Sequence, residues 1–159
     1  MKKVAVCLLL ILFSTSVICA EVTREKKKSP NGTMEHVFYS GEKEVARQVV
    51  DEDRNIIKTT GKIPDGVVRG YYSNGVLSGM WSYKNGKREG AVKEYYKNGK
   101  LSEESHYKNG RLEGTAKLYY KNGKVADVFT YKNGQLINRK TYDIKGILRL
   151  ERDFPADKR

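Results

Sequence analysis

Few side chains in this sequence are of the kinds that carry out chemistry. Its histidines are His36 and His106, and its cysteines are Cys7 and Cys19. A general base, a thiolate nucleophile or a metal centre would have to be built from these together with carboxylates. Ser82 and Thr130 stand at the positions equivalent to His106 in the phrase before and the phrase after, so His106 reads as a polar spacer on a solvated face. Glu103 and Glu104 are adjacent in an extended stretch and point to opposite faces, which rules against a paired-carboxylate centre. Asn-Gly-Lys recurs, yet no glycine-rich phosphate loop opens a helix. The expectation is therefore a non-enzymatic protein with no catalytic residue, no metal site and no cofactor. Tyrosine and lysine are what remain in quantity, and their chemistry is that of stacking, hydrogen bonding and charge.

These residues belong to a repeated phrase. Tyr-Ser-Asn-Gly stands at 72–75, and Tyr-Lys-Asn-Gly starts at Tyr83, Tyr96, Tyr107, Tyr120 and Tyr131. The turn pairs are Asn74-Gly75, Asn85-Gly86, Asn98-Gly99, Asn109-Gly110, Asn122-Gly123 and Asn133-Gly134, and the gaps between them alternate 11, 13, 11, 13, 11, a period of 24. Asn-Gly between strand-like runs is a strong hairpin signal, because both residues tolerate positive φ. The period predicts an all-β fold: an elongated antiparallel meander of two-hairpin repeats in a single twisted sheet. A half-buried tyrosine covers on the order of 100 Å², which at about 25 cal/mol per Å² contributes roughly 2 to 3 kcal/mol. Ordering each residue costs about 1 to 2 kcal/mol, so no unit stands without neighbours.

Charge predicts the register. A two-residue loop would place Lys97 opposite Lys100 and Glu94 opposite Glu103, and like charges across a ladder are unfavourable. A three-residue loop with glycine as a bulge puts Lys93 opposite Glu103, Lys117 opposite Asp127, Leu118 opposite Ala126 and Ala116 opposite Val128. It also sets Tyr96 beside Lys100, Tyr107 beside Arg111 and Tyr120 beside Lys124. One face then carries Tyr71, Leu77, Trp81, Tyr83, Tyr95, Leu101, Tyr107, Tyr119, Val125, Phe129 and Tyr131. Tyr72, Met80, Val92, Tyr96, Leu112, Ala116, Leu118, Tyr120 and Val128 fall on the other. The candidate partner-binding surface is Trp81, Tyr83, Tyr95, Tyr107, Tyr119, Phe129 and Tyr131, with Lys93 and Lys117.

Outside the array, Lys2 and Lys3 precede an apolar run from Val4 to Phe13, with small and polar residues up to Ala20. That layout predicts a signal peptide over 1–20 and an exported protein. Lipidation of Cys19 is the competing reading, although Ile18 and Ser16 stand where such sites want a small residue and leucine. Cleavage after Ala20 would remove both cysteines. Thirty-one Lys and Arg against 19 Asp and Glu give +12, and loss of Lys2 and Lys3 leaves 29 − 19 = +10. Residues 21–32, with the run Lys26-Lys27-Lys28 and Pro30, read as a flexible linker. Strand-like stretches at 34–39, 44–50 and 55–63 read as degenerate copies of the hairpin unit, so the repeat domain spans 33–154 and a charged tail 155–159.

The phrase Tyr-x-Asn-Gly-Lys-Leu on a period near 24 resembles the MORN-repeat-variant family of bacterial proteins, closely over 66–146 and loosely over 33–65. The resemblance implies a β-hairpin array. Members of that family often carry an antitoxin label, which implies a protein partner. MORN repeats proper are linked with membrane surfaces and lipid phosphate, but their Tyr-x-Gly and Gly-x-Gly spacing is not reproduced here. The sequence thus predicts an exported scaffold for a protein or polysaccharide partner. The alternative is an envelope protein held on an anionic membrane surface by its basic balance. Nucleic-acid binding by tyrosine stacking between lysines is chemically reasonable, and export argues against it.

Overall fold

A computed structural model describes residues 21–30, 32–52 and 56–155. The expected export segment with its two cysteines, Asn31, residues 53–55 with the first residue of the expected 55–63 stretch, and residues 156–159 of the tail lie outside the described residues. Short runs rich in β-branched and aromatic residues, closed by glycine-containing corners, make thirteen strands and no helix among the described residues. They are β1 (Val22–Lys28), β2 (Met34–Ser40), β3 (Lys43–Val50), β4 (Ile56–Gly61), β5 (Gly66–Tyr71), β6 (Leu77–Lys84) and β7 (Lys87–Tyr95). There follow β8 (Leu101–Lys108), β9 (Arg111–Leu112), β10 (Gly114–Tyr119), β11 (Val125–Lys132), β12 (Gln135–Tyr142) and β13 (Leu148–Asp153). All lie in one sheet of order β13-β12-β11-β10-β8-β7-β6-β5-β1-β2-β3-β4, with β9 on β8.

From β5 to β13 the sheet is the expected antiparallel meander. The N-terminal part departs from it. Val22–Lys28, expected to be a flexible lead, forms a strand in the interior of the sheet, antiparallel to β2 and parallel to β5 through Val22↔Val68 and Thr23↔Arg69. Its sequence is polar because Glu25–Lys28 stay exposed, and only Arg24 of the strand is buried.

The sheet is also more than a thin ribbon. Strands β2 and β6 are separated by β1 and β5, and a flat sheet at about 4.8 Å per strand would hold them about 14 Å apart. Instead the rings of Phe38 and Tyr83 meet edge to face at 5.6 Å between centroids. The N-terminal strands therefore roll over the face of β5–β8, and the concave side holds a core of Phe38, Ala46, Ile63, Val68, Trp81, Tyr83 and Val92. Only residues 62–65 link the sheet-edge strand β4 to β5. Within that link Ile63 is buried, and Lys62 N–H donates to the Val45 carbonyl at 3.1 Å.

The turns are of two kinds, and they alternate. After β5, β7 and β10 the loop has three residues: Tyr72, Tyr96 and Tyr120 N–H donate to the carbonyls of Val76, Lys100 and Lys124 at 2.8 Å. In these loops the glycine takes positive φ, and the side-chain oxygens of Asn74, Asn98 and Asn122 accept from the amides of Val76, Lys100 and Lys124. After β6, β8 and β11 the loop has two residues, and the asparagines themselves are left-handed: Asn85 and Asn109 at φ 51° and Asn133 at φ 52°. That is the type I′ solution. Here Lys84 faces Lys87 and Lys108 faces Arg111, which corrects the expected Tyr107 to Arg111 pairing; Tyr107 pairs with Leu112.

The three-residue loops are as expected, but a bulge just beyond each shifts the register back by one. Tyr95 pairs with Leu101, while Lys93 pairs with Glu104 and Glu94 with Glu103. In the next unit Lys117 pairs with Val128, Leu118 with Asp127 and Ala116 with Phe129, not the partners the loop alone predicts. The like-charge pair that argued against this register is relieved by side contacts, because Glu94 accepts from Trp81 Nε1 at 3.0 Å and Glu103 from Ser105 Oγ at 3.3 Å.

Two sets of hydrogen bonds recur every repeat and staple one turn to the next. The hydroxyls of Tyr72, Tyr96 and Tyr120 donate to the carbonyls of Tyr95, Tyr119 and Tyr142 at 2.6, 2.5 and 2.7 Å. On the opposite margin the carboxylates of Asp65, Glu89 and Glu113 accept from the amides of Asn85, Asn109 and Asn133 at 2.7, 2.6 and 2.7 Å. Changing Tyr96 to Phe removes one staple while keeping the ring. The expected loss is about 0.5 to 1.5 kcal/mol in urea unfolding.

Candidate ligand-binding face

Cross-strand pairing assigns the side chains to faces. On the concave side Val68, Trp81, Val92 and Ser105 form one transverse row, and Ala116, Phe129 and Arg139 form another farther along the sheet. Val92 and Ala116 therefore share the side of Trp81 and Phe129, a correction to the expected two-face division that follows from the bulges. Tyr107 packs against the same core, and Tyr131 lies two residues from Phe129 with ring centroids 6.3 Å apart. The opposite side carries Met80, Lys93, Glu104, Lys117, Val128 and Lys140 in paired order.

The candidate surface thus divides. Trp81 and Tyr83 are 2% and 3% exposed and belong to the core, so neither is presented to a partner. Tyr107, Phe129 and Tyr131 stay half-buried on the concave side. Lys93, Lys117 and Tyr119 lie behind it, where Lys117 pairs with Glu104 at 3.2 Å and the Tyr119 hydroxyl donates to the same carboxylate at 2.6 Å. Tyr95 pairs with Leu101 at the sheet margin. The hydrogen bond from Tyr119, with Lys117 adding to it, holds Glu104 below the usual carboxylate range, and burial with the Glu104 contact pushes the Tyr119 phenol up to about 12.

The concave face holds charged groups that the sequence reading passed over. Arg24, 4% exposed, lies with its guanidinium carbon 3.2 Å from the centroid of the Trp81 ring. The ring also lies against the backbones of the paired glycines Gly70 and Gly79. Arg88 Nη1 donates to the Tyr107 hydroxyl at 3.0 Å, and its guanidinium sits 5.1 Å from that ring. Farther along, Arg139 stacks 5.2 Å from Phe129, and its Nε and Nη2 donate to Asp127 Oδ1 at 3.0 and 2.8 Å. Guanidinium over aromatic is therefore repeated along this side at Trp81, Tyr107 and Phe129. Burial lowers Arg24 to about 10, still charged at neutral pH. Burial also pulls Arg88 down, but the phenolic oxygens of Tyr83 and Tyr107 outweigh it and leave it raised.

His36 on β2 completes the group. Burial first, then the charges of Arg24, Lys26 and Arg88, pushes its imidazole down to about 3. In the unfolded chain it titrates near 6.5, so the depressed folded value stabilises the protein above about pH 6.5, and that contribution is lost as pH falls. Between about pH 7 and pH 5 the folding equilibrium is expected to weaken by no more than about tenfold per pH unit, reduced by the ring's partial contact with water. His36→Gln should flatten this dependence in urea titrations at the two pH values. Among the described residues no group of three or more His, Cys, Asp or Glu side chains is placed to hold a metal ion.

A sheet assembled from alternating turns on a fixed period defines a β-hairpin repeat protein. Residues 64–85, 88–109 and 112–133 each match the family described as MORN repeat variant, so the stretch from 64 to 133 is an array of three consecutive members of that family. No curated protein matches the chain.

Proposed function

We propose that this is an exported, non-enzymatic repeat scaffold whose open concave side binds a protein or polysaccharide partner. The observation that carries it is the half-buried file of Tyr107, Phe129 and Tyr131, each ring bordered by a guanidinium or by another ring. Tyrosine and arginine are the residue types on which binding energy concentrates, because both offer wide contact area with a polar handle. The tyrosines at 72, 96 and 120 are already committed to turn staples, which separates structural rings from presented ones. MORN repeats commonly mediate binding to proteins or membranes, in keeping with this reading. An antitoxin or immunity role would be one case of a protein partner. The test is capture from a cell-envelope extract by the chain without residues 1–20, compared with a Phe129→Ser/Tyr131→Ser variant. Capture that is unchanged in the variant would remove the reading.

A second reading is favoured by the placement of cations. The back of the sheet is not uniformly basic, since Lys117 pairs with Glu104 and Lys140 with Glu151. Cations instead face one another across the two-residue turns, Lys84 with Lys87 and Lys108 with Arg111, all exposed. A margin of this kind suits an anionic membrane surface. Salt-sensitive sedimentation with vesicles containing phosphatidylserine, lost in Lys84→Gln/Lys108→Gln, would favour it over the first.

A further inference from the structure

Where the N-terminal strands roll over β6–β8, a cavity of about 500 Å³ is lined by the cations Arg24, Lys26 and Arg88, the acids Asp51, Glu52, Glu94 and Glu103, and His36 and Tyr107 among others. Five buried polar atoms in and beside it have no hydrogen bond of good geometry: Arg24 Nε and Nη1, Arg88 Nε, His36 Nδ1 and the Tyr83 hydroxyl, which lies near enough to both guanidiniums to favour their charged forms but is not aligned with these N–H groups. Such groups in a folded interior cost on the order of 1 to 3 kcal/mol each, more when charged, and native proteins rarely leave several together unsatisfied. Three of the five are guanidinium N–H donors, which match an oxyanion. The wall also carries the acids Asp51, Glu52, Glu94 and Glu103, but none of them accepts from these three N–H groups; Glu94 accepts from Trp81 Nε1 and Glu103 from Ser105 Oγ. Their charges also decide which oxyanion fits. A dianionic phosphate would be set beside four carboxylates and only three cations, Arg24, Lys26 and Arg88, whereas a single carboxylate carries half that charge and still offers two coplanar acceptors to a guanidinium edge.

We infer that this cavity is a carboxylate-binding site in which Arg24 and Arg88 grip the ligand's carboxylate and Tyr83 and His36 border it. It is separate from the open file of Tyr107, Phe129 and Tyr131, except that Tyr107 holds Arg88 in place from its edge. Trp81 stacks on Arg24 and is the chain's single tryptophan, so its fluorescence reports directly on the site.

The test is a fluorescence titration of the chain without residues 1–20, at constant ionic strength, with acetate, inorganic phosphate, and a tetrapeptide carrying either a free or an amidated C-terminus. Saturable change with acetate, at least tenfold weaker in Arg88→Met and in Arg24→Met, is the expected result. Arg88→Met leaves the Trp81 stack intact and so remains informative if the Arg24 variant does not fold. Tighter binding of the free-acid peptide than of acetate or the amide supports a chain terminus as the source of the carboxylate, and equal binding of acetate and free-acid peptide supports a small organic acid. Phosphate binding as tightly as acetate, a response to acetate indistinguishable from chloride, or unchanged affinity in Arg88→Met would each overturn the assignment.

Discussion

Replacing Trp81 by alanine is expected to cost about 3 to 5 kcal/mol, the range for removing a large buried aromatic. The indole is 2% exposed at the centre of the concave cluster, where it joins β6 to Val68 on β5 and Val92 on β7. It also covers Arg24, whose guanidinium lies 3.2 Å from the ring centroid, and bonds Glu94 through Nε1 at 3.0 Å. Alanine would leave a void, a buried cation with no ring beneath it and a carboxylate without its donor. Single domains are stable by about 5 to 15 kcal/mol, so the variant should sit near the edge of folding. Urea unfolding monitored by circular dichroism measures the loss. A cost below about 1 kcal/mol would mean that the roll-over of the N-terminal strands contributes little to stability.

The second large effect comes from Gly79→Ala. Gly79 does not have positive φ, so its lack of a side chain is a matter of space. A β-carbon there would stand 2.4 Å from Trp81 Cζ2 and 2.6 Å from Cη2, far inside contact distance. The indole is 2% exposed, in contact with the Arg24 guanidinium and bonded to Glu94, so it has little room to shift. Overpacking of this kind costs about 1 to 3 kcal/mol. The cause can be isolated, because phenylalanine lacks both clashing atoms. In a Trp81→Phe background only the Lys93 carbonyl, 3.1 Å from the added carbon, still crowds it, so the same alanine should cost less than about 1 kcal/mol, a coupling of about 1 to 2 kcal/mol between the positions. Strict additivity in the four-variant cycle would show that Gly79 is needed for some other reason.

The array from Gly66 onward was legible because its corners are written in Asn-Gly and its spacing is regular. What misled was that the same dipeptide serves two turns. In Tyr-Lys-Asn-Gly at 96–99 asparagine acts through its side-chain oxygen, and at 107–110 it acts through a left-handed backbone. The alternation of shorter and longer gaps between Asn-Gly pairs recorded that difference. So did the acids Asp65, Glu89 and Glu113, which precede the left-handed Asn85, Asn109 and Asn133 at one constant separation. Bulges beyond the three-residue loops leave no mark in composition, so the faces were misassigned at Val92 and Ala116. Strand β1 was hidden because Glu25–Lys28 are exposed and charged, and its one buried side chain is an arginine. The burial of Trp81 had one trace: Gly79 stands where the next repeats carry Glu103 and Asp127, and Gly70 where the next carries Glu94. An aromatic opposite an interruption of acids by glycine is being given room. The cavity beside Arg24 had no sequence trace, since it arises from strands far apart in the chain.

The alternation of turn types makes the length of this protein quantised. One two-residue and one three-residue corner together return the polypeptide to its starting direction with the same side chains facing the same way. A duplication or deletion of one full period between Lys108 and Tyr142, beyond the core shared with the N-terminal strands, therefore lengthens or shortens the blade without disturbing either end. Adding or removing a single strand with its corner would leave the chain running the wrong way and its acid and tyrosine clasps without mates. Copies of this gene segment can accordingly be gained or lost only in whole units, and the reach of the blade is open to selection one unit at a time.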